Sequence, residues 1–346
     1  MIFSPILFDG NVINGVNSHK HLGLILTSTL DFSSQVKEVC LKANRKLSVL
    51  RSVNMLSRQT LDVLYKLTVR SVIDYALPVY YKSLKQTDIG RLENVQYRAG
   101  KIVTGALHYT SKEKLNLELG WETIVDRGNL LSLNIFHKIH LHETRPLIRS
   151  CMPKLDIHKT CVTRSKGGYI PFRPKDDKFN TSFFVNTLKI WNNLPPNIQC
   201  KDVYDFKLSI KEQIKPPKYK HFARGNKIAN KLLTRIRVGR SELNQHKFTI
   251  GHVDTPECSC HFTSESPEHY FLSCFLYSLE RQTLLSLVEH YIPKFARLNR
   301  KQKMEILLKG INPDDDKFTQ LNTTLTKAVQ NFIVSTKRFA SIDNQD

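Results

Sequence analysis

The chain has 346 residues, 40% of them hydrophobic, with 52 Lys and Arg against 31 Asp and Glu and a formal net charge of +21. That apolar share supports an ordinary core and excludes disorder throughout, while the length suggests two domains or three. The cationic excess predicts attraction to polyanions, either nucleic acid or an acidic membrane surface, against the plainer reading of a merely basic protein.

No stretch approaches the roughly 18 to 20 consecutive apolar residues of a membrane span. Residues 1–10 have neither a charged start nor a long apolar run, so no signal peptide and no membrane association are expected. The expected setting is intracellular, nuclear or cytoplasmic, where thiols stay reduced. The 7 cysteines are then an odd set of thiols and ligands, not a disulfide framework.

Residues 1–32 read as strands or a hairpin, from Val12, Val16 and the run His21-Leu-Gly-Leu-Ile-Leu26, with turns at Asp9-Gly10 and Asn14-Gly15. The segment is small for an independent sheet and resembles the edge of something larger. Residues 33–145 read as helices. Val36, Val39, Cys40, Ala43, Leu47 and Leu50 share one face after a cap at Ser33 or Ser34. A second helix follows Ser57, with Leu61, Leu64, Tyr65, Thr68 and Val72 inside, and ends or kinks at Pro78. A third begins near Thr87 and Asp88 and turns Ile89, Leu92, Val95 and Ala99 inward. Gly120 and Trp121 separate a short helix from one running to about Glu143.

Residues 146–222 are less regular, a connector with short helices at Phe183 to Trp191 and Phe206 to Ile214. Loop is expected from Thr163 to Asp177, and Lys215-Pro-Pro-Lys-Tyr-Lys220 is the linker candidate. Residues 223–346 form a second helical region around a cysteine cluster. The expected fold is therefore mainly α, with a short N-terminal β hairpin, a helical domain, and a helical C-terminal domain of zinc-knuckle-like character.

That cluster is Cys258, Cys260, His269 and Cys274, spaced C-x-C-x8-H-x4-C. Tetrahedral zinc needs four soft or borderline donors brought together by a short chain, and the H-x4-C half has the spacing of a retroviral-type zinc knuckle. The C-x-C half is tighter than the usual C-x2-C. His252 and His261 are substitute ligands. The alternative is three unrelated thiols and a surface histidine. A zinc here would be structural, contributing on the order of 10 kcal/mol or more to local folding. His137, His140 and His142 also gather, but no Cys or paired carboxylate completes a site, and they read as surface or packing residues.

Residues 201–250 hold 13 Lys or Arg and 4 Asp or Glu, a local net of +9. Lys227, Lys231, Arg235, Arg237, Arg240 and Lys247 suit phosphates. Tyr219, Phe222 and Phe248 interleave with them and read as core aromatics in preference to stacking surfaces. The rival reading for the cations is a solvated helix face. The chemistry of nucleotide transfer is missing. Polymerases and nucleases hold two metal ions on paired aspartates, and the adjacent acids here, Asp176-Asp177 and Asp314-Asp315-Asp316, fall in turns. No magnesium site and no catalytic residue is expected, nor is any Gly-rich phosphate loop, H-E-x-x-H or G-x-S-x-G present.

Several stretches, in order, resemble one family. His21-Leu-Gly-Leu with Leu30-Asp-Phe32 is similar to the palm-to-thumb boundary of non-LTR (LINE, jockey-like) retrotransposon reverse transcriptases. Lys42-Ala-Asn-Arg-Lys-Leu47, Leu64-Tyr-Lys66, Ile73-Asp-Tyr-Ala-Leu-Pro-Val79 and Leu92-Glu-Asn-Val-Gln-Tyr-Arg-Ala99 resemble its thumb helices. Trp191-Asn-Asn-Leu-Pro195, Leu233-Thr-Arg-Ile-Arg-Val-Gly239, Leu243-Asn-Gln-His-Lys-Phe248 and Glu268-His-Tyr-Phe-Leu-Ser-Cys274 resemble its tail. The resemblance implies a remnant of palm edge at 1–32, a helical thumb-like domain at 33–145, a connector at 146–222, and a cysteine-rich tail at 223–346 that binds RNA or DNA. It implies a thumb whose Lys42, Arg45, Lys46 and Arg51 lie against duplex phosphates. The family is an RNA-directed DNA polymerase, a transposable-element enzyme whose catalytic aspartates lie in a palm that matches no stretch of this chain. The expected function is accordingly a nucleic-acid-binding fragment gripping template and primer or target. The alternatives are part of an active polymerase once joined to palm and fingers, a helical protein-interaction module, or a poorly folded pseudogene product.

Overall fold

Val36, Val39, Ala43, Leu47 and Leu50 recur at three- and four-residue steps along the helix Ser33–Ser52, and all five are buried. The computed structural model describes residues 6–141, 146–153, 169–173, 175–214, 216 and 219–340. The described residues are mainly α, as the sequence predicts, and every named strand lies before residue 28. Gly167, Gly168, Pro174, His142, and residues 215, 217 and 218 of the expected linker lie outside the described residues.

The N-terminal segment forms two antiparallel hairpins where the sequence suggests one. The first pairs Ile6–Phe8 with Asn11–Ile13 around Asp9-Gly10, whose φ values of 51° and 77° suit a two-residue hairpin turn. The second pairs Ser18–His21 with Leu24–Thr27. Its turn is Leu22-Gly23, at φ 46° and 84°, and not the expected Asn14-Gly15. A tertiary contact explains the difference, because the Tyr75 hydroxyl donates to the Leu22 carbonyl and its ring lies 3.4 Å from where a Gly23 Cβ would stand. A leucine is held at positive φ by a partner far along the chain, which local turn preference cannot anticipate.

The second helix starts where the sequence places it, with the Ser57 side chain accepting from the Thr60 N–H. Its inner stripe differs. Leu61, Tyr65, Val69 and Ile73 are the buried positions, four apart, while Leu64, Thr68 and Val72 are half-buried. Tyr65–Arg70 is a π-helical turn, and the wider turn advances the buried face to i+4 at every step. Pro78 does not end this helix. The chain leaves it after Asp74, Ala76 takes a left-handed φ of 54°, and Pro78 sits in the first turn of the next helix, Leu77–Tyr80.

The chain forms two compact units, and neither is a continuous stretch. Unit 1 takes Met1–Arg45, Val69–Val95 and Thr123–Ile214, and unit 2 takes Lys46–Thr68, Gln96–Glu122 and Lys215–Asp346. The helical region expected at 33–145 is therefore divided between them. In unit 1 the helix Ile124–His140 is flanked by Phe183–Asn192 and Val203–Ile214. Leu133, Phe136, Leu188, Trp191, Phe206 and Ile210 make its core. His137 belongs to that core, stacked on Phe206 at 3.8 Å with its Nε2 3.0 Å from the Lys201 carbonyl. His140 lies 2.7 Å from the Tyr169 hydroxyl. By these contacts both are packing residues, one of the two readings the sequence allows.

In unit 2 the helices Lys227–Arg237, Ser278–Tyr291 and Arg300–Lys309 pack on the closing helix Thr319–Ser335. Tyr270, Phe271, Phe295, Val329 and Phe332 fill the space between elements. Trp121 stacks on Tyr65 at 4.0 Å, and its indole N–H donates to Asp62 at 2.8 Å. A buried ion network sits beside this core. The Arg58 guanidinium donates to the Glu118 carboxylate at 2.7 Å, to the Glu118 carbonyl at 2.7 Å and to Thr234 at 3.0 Å. Arg237 grips the same carboxylate at 2.5 and 3.0 Å, with its guanidinium 3.9 Å from the Phe222 ring centre. Burial works against the Glu118 charge, but Arg237 and Arg58 outweigh it and hold the carboxyl below its ordinary range.

Candidate metal centre and cationic cleft

Cys258 and Cys260 ride on a tight turn. The Cys258 N–H donates to the Thr263 carbonyl at 2.9 Å and the His261 N–H to the Cys258 carbonyl at 2.8 Å, while His261 takes a left-handed φ of 59°. His269 stands on the helix Pro267–Leu272, which opens with the Ser266 side chain accepting from the His269 N–H. Cys274 leaves that helix with its N–H donating to the His269 carbonyl at 2.8 Å. These segments bring the four donor atoms within 4.8 Å of one another, with all four residues buried, an arrangement that can hold a metal ion. The Cys258 and Cys274 sulfurs are 3.6 Å apart, and Cys260 Sγ is 3.2 Å from His269 Nε2. His252 and His261, the substitute ligands, are exposed and outside the group.

Burial pushes the Cys258 thiol up to about 12, raises Cys274, and lowers His269, which keeps the imidazole in its neutral, ligating form. At Cys260 burial opposes ionisation, yet the Phe262 N–H and the Cys258 side chain outweigh it and lower the thiol. A metal entering this pocket has to displace protons from thiols that burial otherwise keeps neutral. The turn is braced from outside its own sequence. Buried Glu265 accepts two bonds from Arg338, both at 2.6 Å, and one from the Asn244 N–H at 2.7 Å.

The second feature of unit 2 is a cleft of about 410 Å³ whose rim carries Arg51, Lys101, His108, Lys227 and Lys231. Leu56, Leu61, Ile102, Val103 and Leu107 supply its apolar lining, and no Asp or Glu is among the described residues that line it. Burial, then the nearby charges of Arg98 and Arg51, lower the Lys101 ammonium. The Lys231 stem lies along Gly105, where an added Cβ would meet it at 2.6 Å, and Gly105 holds φ at 66°. That glycine lets the chain after the helix Gln86–Thr104 pass close beneath the lysine.

The expected phosphate-binding residues do not form one set. Arg51, Lys227 and Lys231 come together on the cleft. Lys42, Arg45 and Lys46 are exposed on their helix, with Lys42 paired to Glu38 at 3.1 Å. The arginines of the helix Lys227–Arg237 are engaged by other parts of unit 2. Arg235 also borders the cleft but is buried, donating to the Gly105 carbonyl at 2.8 Å and pairing with Glu242 at 3.2 Å. Arg237 is held by Glu118. Both guanidiniums tie unit 2 together, which corrects the expectation that they meet phosphates. Their helix is too deeply packed to present its last turn to solvent. Arg240 lies 3.1 Å from His246, and Lys247 lies 3.7 Å from Glu242. Of the aromatics, Phe222 is buried and Tyr219 stacks edge-on against it, whereas Phe248 is exposed, contrary to the core reading.

Lys101 and His108 are absent from the expected set. Their only sequence signal is position off the apolar stripe of a helix and in the loop that follows, which does not say what they face. The acid runs behave as turns: Asp176 caps the helix Asp177–Asn180, Asp315 accepts from the Lys317 N–H, and Asp316 pairs with Lys220 at 2.8 Å. Among the described residues no helix is long and apolar enough to cross a membrane. Comparison with family models, with curated proteins and with solved structures gives no match. The family resemblance rests on the motifs quoted from the sequence.

Proposed function

We infer that the chain binds nucleic acid through the cationic cleft of unit 2 and holds a structural zinc in the Cys258, Cys260, His269, Cys274 cluster. The observation that carries the reading is the cleft itself: Arg51, Lys101, His108, Lys227 and Lys231 line it together and repel one another, with no Asp or Glu among its described lining residues. A phosphate chain relieves that repulsion, and each neutralised phosphate releases condensed counterions. The ordered resemblance to the thumb and tail of non-LTR retrotransposon reverse transcriptases points to the same partner, RNA or DNA. The zinc reading is supported by spacing, since Zn–S bonds near 2.3 Å put two sulfurs of a tetrahedron about 3.8 Å apart, close to the 3.6 Å between Cys258 and Cys274. Zinc would lock the turn and the helix Pro267–Leu272 together, and no step of nucleotide chemistry is assigned to it.

The test is the salt dependence of duplex binding by the zinc-loaded chain. With roughly four phosphates met by Arg51, Lys101, Lys227 and Lys231, the log–log slope should be about −3.5. A flat dependence, or preference for an acidic polypeptide over RNA and DNA in direct competition, overturns the reading and favours a protein-interaction module.

A further inference from the structure

The cleft of unit 2 has a buried part that gripping a duplex from outside does not use. Besides the rim cations, its lining includes the side chains of Arg58 and Arg235, 7% and 6% exposed. Both are engaged within the fold and are scaffold, not phosphate ligands, yet each adds positive charge to the inner lining. At Arg58 that charge is not balanced. The Glu118 carboxylate that pairs with it is shared with Arg237, one acid for two guanidiniums, and the nearby Asp62 is taken by Lys66 at 2.7 Å. The lining is also held in place. Arg235 donates to the Gly105 carbonyl at 2.8 Å and the Ala106 N–H donates to the Thr104 hydroxyl at 3.2 Å, which fixes the loop carrying Leu107 and His108.

Size and polarity name the occupant. A cleft of about 410 Å³ is in the range that encloses a small ligand. A double helix, whose major groove alone is about 12 Å wide, meets only the rim. Within a strand each phosphate is a diester with a single charge and chain on both sides. A phosphate at a strand end is a monoester, carries a charge of about −1.5 to −2 near pH 7, and can enter a cleft head first. The sugar and base behind it cover the Leu56, Ile102, Val103 and Leu107 side chains, which a phosphate alone leaves in water. We propose that the cleft is an end pocket, which takes the terminal phosphate monoester of a nucleotide among Lys101, Lys227 and Lys231 and lays its nucleoside on the apolar lining. This rests on the nucleic-acid reading of the same cleft and names the part of the nucleic acid that enters it. A strand end and a free nucleotide both offer this chemistry.

The test measures binding of single strands to the zinc-loaded full chain in dilute buffer. The probes are oligothymidylates of about ten nucleotides bearing a 5′-phosphate or a 3′-phosphate, and one ending in hydroxyls that is a nucleotide longer, so that its charge nearly matches. One charge-assisted hydrogen bond gained corresponds to about tenfold tighter binding of the better phosphate-ended strand. The double variant K101A/K227A should bring that ratio to about one. Lys294→Ala, which removes an exposed lysine outside the cleft lining, should leave it at about tenfold. Unfolding followed at Trp121 reports whether the double variant holds its fold; should it not, Lys227→Ala alone, at an exposed position, reads the same ratio. Displacement of the phosphate-ended strand by thymidine monophosphate at similar concentration assigns the pocket to free nucleotides, and resistance to it assigns the pocket to strand ends; both support the pocket. Equal binding of the hydroxyl-ended and phosphate-ended strands, or a ratio untouched by the lysine variants, overturns the end pocket and leaves the cleft standing as a backbone grip. Failure of every strand to bind overturns the cleft and the pocket together.

Discussion

The interiors of the two units are built on different principles. Unit 1 closes mainly on aromatic and aliphatic side chains, with Phe136, Trp191 and Phe206 packed around the Ile124–His140 helix and even His137 used as a flat ring, and its buried Asp88 pairs with an Arg91 that stays half exposed. Unit 2 has an apolar core as well, but inserts into it a carboxylate shared by two guanidiniums and a set of thiols. Apolar packing tolerates a missing neighbour at the cost of a cavity. A buried charge or thiol group depends on specific partners, and removing one leaves the rest exposed to a medium that cannot solvate them. Unit 2 should therefore be the half that ligands, protons and single substitutions can switch. The chain offers a reporter for each, Trp191 in unit 1 and Trp121 in unit 2, both buried.

The largest expected effect is loss of the zinc proposed for the Cys258, Cys260, His269, Cys274 cluster. Chelation, or Cys274→Ser, should cost on the order of 10 kcal/mol of local folding around the cluster. Hydrogen exchange should rise across residues 256–277 and remain slow around Phe136 and Phe206. Equal loss of protection in both places would erase the contrast.

Next is Glu118→Ala, which strands two buried guanidiniums and should destabilise unit 2 by roughly 3 to 5 kcal/mol. A large-to-small change in unit 1, Leu188→Ala, should cost about 2 to 5 kcal/mol by cavity formation alone. The distinction lies in rescue: Glu118→Ala combined with Arg237→Met should recover part of the loss in a double-mutant cycle. An additive result would mean that the buried pair carries no coupling.

Acid should act through the same carboxylate. Because the Glu118 carboxyl is lower in the folded chain than its ordinary 4.5, its contribution is complete above that value and declines as pH falls through the folded one. Denaturation followed at Trp121 in a Trp191→Phe background should show stability falling on acidification, and Glu118→Gln should flatten that fall. An unchanged profile in the variant would remove Glu118 as the cause.

The smallest effects concern the cleft. Lys101→Ala or Lys227→Ala should each reduce the salt slope of duplex binding by about one, with stability nearly unchanged. Arg235→Ala should do the reverse, since its guanidinium holds the Gly105 loop and Glu242: a clear loss of stability with little change in slope.

Much of this was legible in the order of residues. The helix Ser33–Ser52, the cap at Ser57 and the Phe183–Asn192 helix follow from periodicity and turn chemistry, because those signals act over a few neighbours. The four-ligand cluster was legible for the same reason, its donors lying within one short stretch. The Leu22-Gly23 turn, the π-helical shift to Tyr65 and Val69, and the diversion of Arg235 and Arg237 into the interior were not. Each depends on a partner distant in the chain: Tyr75, and the acceptors Glu118 and Gly105.

The sequence by itself determined that the protein is helical, strongly cationic and able to gather three thiols and an imidazole, since composition, spacing and local propensity suffice for each. Only the tertiary structure decided which cations are surface and which are scaffold. A charge reads the same in sequence wherever it points, and whether it meets solvent or a buried carboxylate is settled by how remote segments pack. The same packing set Lys101 beside Lys227 across the cleft.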